Sequence, residues 1–169
     1  MTADEIRQLL GLTPLAHEGG YFAETYRATE MIPAGFEGLH PPDARSLATA
    51  IYYLLTPDTF SALHRLPGDE MFHFYLGDPV EMLQLGPDRS GSTGRVVVLG
   101  TDLASGQRPQ VLVPRGVWQG TRLLPGGKAA LLGTTMSPGF DPADFELGAR
   151  EALIADYPAH RDRILALTG

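Results

Sequence analysis

The 169-residue chain contains no cysteine, which excludes disulfide bonds and thiolate ligands to a metal. No continuous apolar run approaches the roughly 18 residues that a membrane-spanning helix needs. The N-terminal sequence MTADEIRQLL has acidic residues near its start and no basic segment ahead of an apolar one, unlike a secretory signal. Lys and Arg number 13 against 20 Asp and Glu, and the net charge of −7 argues against nucleic acid or an anionic membrane as a partner. These absences predict a cytoplasmic protein that binds neither nucleic acid nor membrane.

Turn-forming residues are abundant, with 20 glycines and 14 prolines, which favours short strands over long helices. The length suits one domain over residues 1–169. Within it we predict a helix and a strand in 1–30, a barrel over 47–136 and a helical segment over 146–168. The first helix spans 2–12, and two short helices at 148–156 and 158–167 make up the C-terminal segment. Residues 31–46 are expected to form a surface loop, and residues 86–94 a hairpin tip.

Alternation of side chains predicts a strand at Tyr21–Arg27, followed by short strands separated by turn residues. These further strands are predicted at 47–55, 60–66, 70–76, 80–85, 95–99, 110–113, 118–124 and 128–136. Strands of this length at a spacing of 8 to 12 residues indicate an all-β sandwich or barrel, here mainly β with a few short helices.

The segment FSALHRLPGDEMFHFYLG at 60–77 contains the most informative set of candidate functional residues. It predicts a strand, a tight Pro-Gly-Asp turn and a second strand. Alternation places His64 on one face, and Glu70 and Phe72 share that face if the pleat continues through the turn. An imidazole and a carboxylate would then meet inside the barrel, where they can bind a divalent metal or act as an acid–base pair. The same counting places His73 on the opposite face, although a β-bulge would re-aim it.

Two motifs in the chain resemble those of the cupin superfamily. The first cupin motif has two histidines one residue apart, three or four residues, a glutamate, six residues and a glycine. His64, Glu70 and Gly77 match it, whereas Leu66 stands at the second histidine position. The second motif has Pro, any residue, Gly, two residues and a histidine. The segment PRGVWQ at 114–119 matches its Pro and Gly, with Gln119 in place of the histidine.

The resemblance extends over nearly the whole chain, to a widespread cupin subfamily of unassigned function. It rests on the segments HEGGYFAETYR, AIYYLL, HRLPGDEMFHFYLGDP, VPRGVWQG and SPGFDPADFELG. It implies a double-stranded β-helix, or jelly-roll barrel, that forms a homodimer and has a polar pocket inside, but it supplies no established reaction.

The candidate site residues are chosen from the strand faces that side-chain alternation predicts and from the two motifs. The resemblance leaves His64, Glu70 and Gln119 as the metal ligands if a metal is bound, an oxygen-rich set that is weak for a transition metal. No cofactor is otherwise indicated. The candidate ligand-binding residues are His64, Glu70, His73, Gln119, Glu24, Phe72 and Trp118, and the candidate catalytic residues are His64, Glu70, Tyr52 and Tyr75.

Each candidate also has a purely structural interpretation. A His64–Glu70 hydrogen bond would pin the turn, the Gln119 amide would bridge strands, and Trp118 and the tyrosines would be core residues. For His73, a structural hydrogen bond on the outer face is the preferred reading.

Three functions are open on these residues. The first is binding of a small polar metabolite, with metal-independent isomerase or epimerase chemistry on a sugar or a sugar-nucleotide-like substrate. In that function His64 would be the base and a cavity tyrosine the acid. The second is a metal-dependent oxygenase or isomerase. The third is a ligand-binding module without catalysis.

Overall fold

The structure is a computed structural model that describes residues 1–33, 44–86 and 94–169. Most of the loop predicted at 31–46 and of the hairpin tip predicted at 86–94 lies outside these ranges. Within them the protein is mainly β, with short helices at its two ends, which confirms the predicted fold class. None of the described helices is long and apolar enough to span a membrane.

Thirteen strands lie in the described ranges, and nine of them occupy predicted positions to within two residues. The other four, which were not predicted, are β1, β3, β4 and β13, each only two residues long and therefore without a detectable alternation. The strands are β1 (Thr13–Pro14), β2 (Tyr21–Arg27), β3 (Met31–Ile32), β4 (Arg45–Ser46), β5 (Thr49–Leu55), β6 (Ser61–Arg65), β7 (Glu70–Gly77), β8 (Val80–Leu85), β9 (Arg95–Leu99), β10 (Gln110–Val113), β11 (Trp118–Leu123), β12 (Ala130–Met136) and β13 (Glu146–Leu147).

The helices form where the sequence predicts them. Helix α1 (Ala3–Leu10) begins at a capping box in which Thr2 and Glu5 exchange hydrogen bonds, and it ends at Gly11 in the left-handed conformation. Helices α2 (Arg150–Asp156) and α3 (Arg161–Ala166) follow near the C-terminus. Short 3₁₀ turns at Pro142–Asp144 and Pro158–His160 complete the helical content of the described residues.

Two antiparallel sheets make up the barrel. The first has the strand order β1-β2-β5-β12-β7-β10 and the second the order β13-β6-β11-β8-β9, while β3 and β4 pair separately. Successive strands β5, β6, β7 and β8 alternate between the two sheets, as the chain of a jelly roll does.

Residues 60–77 therefore do not form a β-hairpin. Strand β6 pairs with β11 and β13, whereas β7 pairs with β10 and β12. His64 and Glu70 thus belong to opposite sheets, and they face one another across the barrel interior rather than lying side by side on one sheet.

Three apolar clusters stabilise this arrangement by burying side chains from water. One fills the space between the sheets, and its largest members are Tyr53, Phe72 and Phe74. The second lies between α2, α3 and the outer face of the second sheet. The third lies beneath α1 on the outer face of the first sheet.

The interior cluster fills only part of the barrel. On β12, Leu132 belongs to the cluster, whereas Thr134 and Met136, the next inward residues, line an open cavity. Strand β7 shows the same change, because Phe72 is in the cluster and Glu70 lines the cavity. One end of the barrel is therefore packed and the other is hollow.

Candidate functional site

The hollow end of the barrel contains a cavity of about 480 Å³. Strands β2, β5, β7 and β12 of the first sheet, strand β6 of the second, the chain at 14–18 and the segment at 140–145 form its walls. Three of the predicted site residues, Glu24, His64 and Glu70, line it together. A cavity of this size accommodates a small metabolite.

His64 is held in one tautomer. Its Nδ1 lies 2.7 Å from the carbonyl oxygen of Ala62, and a carbonyl only accepts hydrogen bonds, so Nδ1 carries a proton. The ring also stacks on Phe145, with 4.9 Å between ring centroids and 23° between planes. The imidazole is buried and fixed on two sides. In its neutral form Nε2 is therefore the nitrogen with a free lone pair, available to a molecule in the cavity.

Glu70 is a buried carboxyl group whose pKa is raised. Burial is the main cause, because it disfavours the charged form, and the negative charge of Glu18 acts in the same direction. The charge of His64 and hydrogen bonds from Thr134 and Gln119 lower the pKa but do not cancel the effect of burial. Glu70 is thereby poised to exchange a proton closer to neutral pH than an exposed glutamate.

Gln119 joins Glu70 rather than lining the cavity. It lies on β11 opposite His64 in the strand register, and its Nε2 donates a 2.5 Å hydrogen bond to Oε2 of Glu70. Its Oε1 is buried and has no hydrogen-bond partner among the described residues. The amide therefore bridges the two sheets and leaves one acceptor unused beside the site.

Glu18 is a site residue that side-chain alternation does not predict. It lines the cavity from the turn between β1 and β2, and its carboxylate accepts a 2.6 Å hydrogen bond from the hydroxyl of Ser61. A turn has no periodicity, so the available signal was the position of the acid directly before Gly19-Gly20 in the segment HEGGYF.

Glu24 projects into the cavity, as alternation on β2 allows. Its carboxylate accepts hydrogen bonds of 3.0 Å and 2.7 Å from the guanidinium of Arg27, which also lines the cavity. Arg27 in turn donates to the carbonyl oxygen of Phe140 at 3.1 Å. The pair ties β2 to the segment that closes the cavity.

The two catalytic tyrosine candidates lie outside the cavity, which corrects that expectation. Tyr52 packs beneath α1, and Tyr75 is half exposed and makes an edge-to-face contact with it at 5.9 Å between ring centroids. The inward tyrosine of the pair at 52 and 53 is Tyr53, whose hydroxyl donates to the Gly19 carbonyl at 2.9 Å. Burial raises its pKa well above the usual value, so it stays protonated.

His73 also lies on the outer face of the first sheet, as the counting indicated, and no bulge re-aims it into the cavity. Its Nε2 is 3.0 Å from the Thr135 hydroxyl, and its ring stacks on Tyr75. His73 therefore makes a structural hydrogen bond on the outer face of the sheet, as its position in the strand predicts. The structure does not bring His73 together with His64 and Glu70.

Phe72 and Trp118 are core residues and do not line the cavity. Phe72 faces the interior beside Glu70 but is fully packed in the cluster between the sheets. Trp118 faces the other way, toward α2 and α3, and the guanidinium of Arg65 lies 4.5 Å from its ring centroid. Adjacent residues of a strand point to opposite faces, which explains why Gln119 is inside and Trp118 outside.

The residues at the motif positions do not fit a transition metal. The described residues contain no group of three or more His, Cys, Asp or Glu side chains arranged to hold an ion. Leu66 lines the cavity at the position of the second motif histidine. The amide nitrogen of Gln119 donates its hydrogen bond to Glu70. One imidazole and one carboxylate remain, fewer than the three or four protein ligands of such sites.

The two sheets, the hollow end and its His–Glu pair define a jelly-roll protein with an internal pocket. The chain belongs to the cupin superfamily, in the subfamily described as DUF985, whose family model matches residues 4–148. It is 31% identical over 135 residues to the uncharacterized protein YML079W of Saccharomyces cerevisiae, a match that covers 75% of this chain and 66% of the yeast protein.

Two solved structures share the fold over nearly the full length of this chain, and a third shares it over most of the chain. Protein SO0799 of Shewanella oneidensis is 34% identical, with a TM-score of 0.84, and the match covers 100% of this chain and 98% of that one. A hypothetical protein of Leishmania major is 29% identical, with a TM-score of 0.88 and 99% of both chains covered. A dTDP sugar isomerase of Desulfovibrio desulfuricans has 16% identity and a TM-score of 0.52, over 83% of this chain and 88% of that one. At that identity the likeness shows the fold alone.

Proposed function

We propose that the protein binds a small polar metabolite in the barrel cavity and catalyses its metal-independent isomerisation or epimerisation, with a sugar or sugar-nucleotide-like substrate. The observation that carries the proposal is the pairing of His64 and Glu70 around one cavity. His64 has its free lone pair on Nε2, and Glu70 has a raised pKa, so the two groups suit opposite roles in proton transfer.

The chemistry assigned to the pair is proton transfer at a carbon next to a carbonyl group. Nε2 of His64 accepts the proton, and the C–H electron pair moves into the substrate and leaves negative charge on the carbonyl oxygen. Protonated Glu70 donates a hydrogen bond to that oxygen. In an isomerisation His64 returns the proton to the neighbouring carbon, and Glu70 relays the proton of the neighbouring hydroxyl group to the carbonyl oxygen. In an epimerisation Glu70, which lies on the opposite sheet, instead donates its own proton to the other face of the carbon, and both groups regain their starting protonation states by exchange with solvent. Glu70 thus takes the acid role that Tyr52 and Tyr75 are too distant to fill.

The fold accommodates such a reaction, since a dTDP sugar isomerase shares it. We further propose that the protein acts in the cytoplasm as a homodimer. This rests on the missing cysteines and on the family resemblance, and light scattering during size-exclusion chromatography tests the dimer.

Deuterium exchange tests the catalytic proposal directly. Candidate sugars and sugar nucleotides that raise the melting temperature of the protein are incubated with it in D₂O, and the carbon-bound deuterium is followed by NMR. The wild-type protein is expected to introduce deuterium at one stereocentre. The His64→Gln variant is expected to slow this exchange by about 10²–10⁴-fold while it still binds the ligand.

A matched variant, Glu151→Gln on the exposed side of α2, is expected to exchange at the wild-type rate. Exchange at the wild-type rate in His64→Gln would contradict the assigned base. Ligands that bind but never exchange would instead identify the protein as a binding module without catalysis.

A further inference from the structure

The charged side chains around the cavity are unevenly balanced. Glu24 and Arg27 neutralise one another through two hydrogen bonds, and the described residues place no other lysine or arginine on the cavity wall. Among the described residues, Glu18 and Glu70 therefore have no guanidinium or ammonium partner at the cavity. The other titratable side chains that line it are His17 and His64.

Glu18 is fixed in this position by the turn that carries it. Its carbonyl oxygen accepts a 2.7 Å hydrogen bond from the Ala62 amide, and its carboxylate accepts one from the Ser61 hydroxyl at 2.6 Å. The next residue, Gly19, has a φ of 99°, and its carbonyl oxygen accepts the Tyr53 hydroxyl. Three separate contacts to β5 and β6 thus aim one carboxylate, which is more than a solvated surface glutamate requires.

We propose that Glu18 is a ligand-binding residue and that its charge selects the hydroxyl groups of a neutral sugar over a carboxylate or phosphate group. This inference rests on the proposed function and names the part of the substrate that enters the inner end of the cavity. A carboxylate has about four lone-pair positions, of which Ser61 occupies one on Glu18 and the nearby Tyr53 hydroxyl can occupy another. The remaining positions accept hydrogen bonds from hydroxyl groups.

The unused acceptor of Gln119 points to the same chemistry. Its Oε1 is buried without a partner among the described residues, and a buried acceptor of this kind is stabilised by a hydrogen-bond donor. Because Gln119 does not itself line the cavity, a sugar hydroxyl supplies that donor through a bridging water molecule. An anionic group supplies only acceptors, and it brings a charge of the same sign as Glu18 against the cavity wall, where the surrounding protein screens repulsion less than bulk water does.

Matched neutral and anionic sugars test this selectivity. Titration calorimetry is carried out with D-glucose, D-galactose and D-mannose and with their uronates, which differ from them by a carboxylate at one position. The neutral sugars are expected to bind about tenfold or more tightly than the uronates, because like charges placed together disfavour binding. In Glu18→Gln this preference is expected to shrink at least severalfold, while the amide oxygen still accepts from Ser61.

Glu70→Gln replaces a protonated carboxyl group with a neutral amide and is expected to keep the preference, as is the exposed Glu151→Gln. Uronates that bind wild-type protein as tightly as the neutral sugars would overturn this inference and leave the proposed reaction standing. An unchanged preference in a folded Glu18→Gln variant would also overturn this inference and leave the proposed reaction standing. Failure of all six sugars to bind wild-type protein would overturn this inference, and the sugar nucleotides of the exchange experiment would then decide the proposed function.

Discussion

Gln119 and Glu70 are joined across the barrel by a 2.5 Å hydrogen bond from Nε2 to Oε2. Gln119 belongs to the second sheet and Glu70 to the first, so this bond links the two sheets at the inner end of the cavity. Both residues are buried. The Gln119 amide thus supplies Glu70 with the hydrogen-bond donor that water supplies to an exposed glutamate.

Replacing Gln119 with Leu is expected to lower the free energy of unfolding by about 1–3 kcal/mol, since a buried carboxyl group then lacks one donor. Urea denaturation near neutral pH measures the change. In the Glu70→Gln background the same substitution should cost less, because a neutral amide needs the donor less than a carboxylate does. An equal cost in both backgrounds would show that the loss comes from packing and not from this hydrogen bond.

The raised pKa of Glu70 gives stability a definite dependence on pH. A carboxyl group whose pKa is higher in the folded protein than in the unfolded chain stabilises the fold below the unfolded pKa. That contribution is lost as the pH rises through the folded pKa. The amide in Glu70→Gln does not titrate in this pH range, so the variant does not lose this contribution. The difference obtained by subtracting the wild-type free energy of unfolding from that of the variant is therefore expected to increase with pH and then level off.

Urea denaturation of both proteins between about pH 4 and pH 8 measures this difference, starting near the usual glutamate pKa. The exposed Glu30→Gln variant is the control and should give a nearly constant difference from wild type. A difference for Glu70→Gln that falls with rising pH would mean that Glu70 is charged and well compensated in the folded protein.

Side-chain alternation correctly predicts the inward faces of β6 and β7 but not the pairing of these strands. His64 and Glu70 were expected to meet inside the barrel, and the structure places them there, although on opposite sheets rather than on a hairpin. Sequence counting follows the face of a strand, but it carries no information on which strand will be the hydrogen-bonded neighbour.

The tyrosine assignment shows why counting fails on fully buried strands. Strand β5 is covered by the interior cluster on one side and by α1 with its cluster on the other. Both faces are apolar, so the sequence AIYYLL has no polar side to mark the exterior. Tyr52 and Tyr53 cannot be told apart from the sequence, and Tyr53 is the residue that points inward.

Gly19 is expected to tolerate no side chain, because of both its backbone conformation and its surroundings. A Cβ atom there would lie 2.2 Å from the carbonyl oxygen of Phe60, and the φ of 99° is itself unfavourable for alanine. Gly19→Ala is therefore expected to lower the free energy of unfolding by more than about 3 kcal/mol. Thermal and urea denaturation measure it.

Gly106 provides the matched control for this substitution. It has a similar φ of 86° but nothing within 4 Å of an added Cβ. Gly106→Ala is expected to cost only the backbone strain, about 1–2 kcal/mol. Equal losses at the two positions would show that the contact with Phe60 relaxes and that the turn carrying Glu18 is less tightly held than the structure indicates.

The charge of Glu18 contributes to the raised pKa of Glu70, after the larger effect of burial. Removing that charge with Glu18→Gln is expected to lower the pKa of Glu70, which ¹³C NMR titration of the glutamate carboxyl carbons measures. Glu24→Gln removes a carboxylate from the same cavity, but Glu24 is not among the groups that shift the pKa of Glu70, so that pKa should stay nearly constant. Equal shifts in the two variants would mean that Glu70 senses the total charge of the cavity. A shift confined to Glu18→Gln would establish that the turn holds the charge of Glu18 close to Glu70 at the cavity, which selection against anions requires.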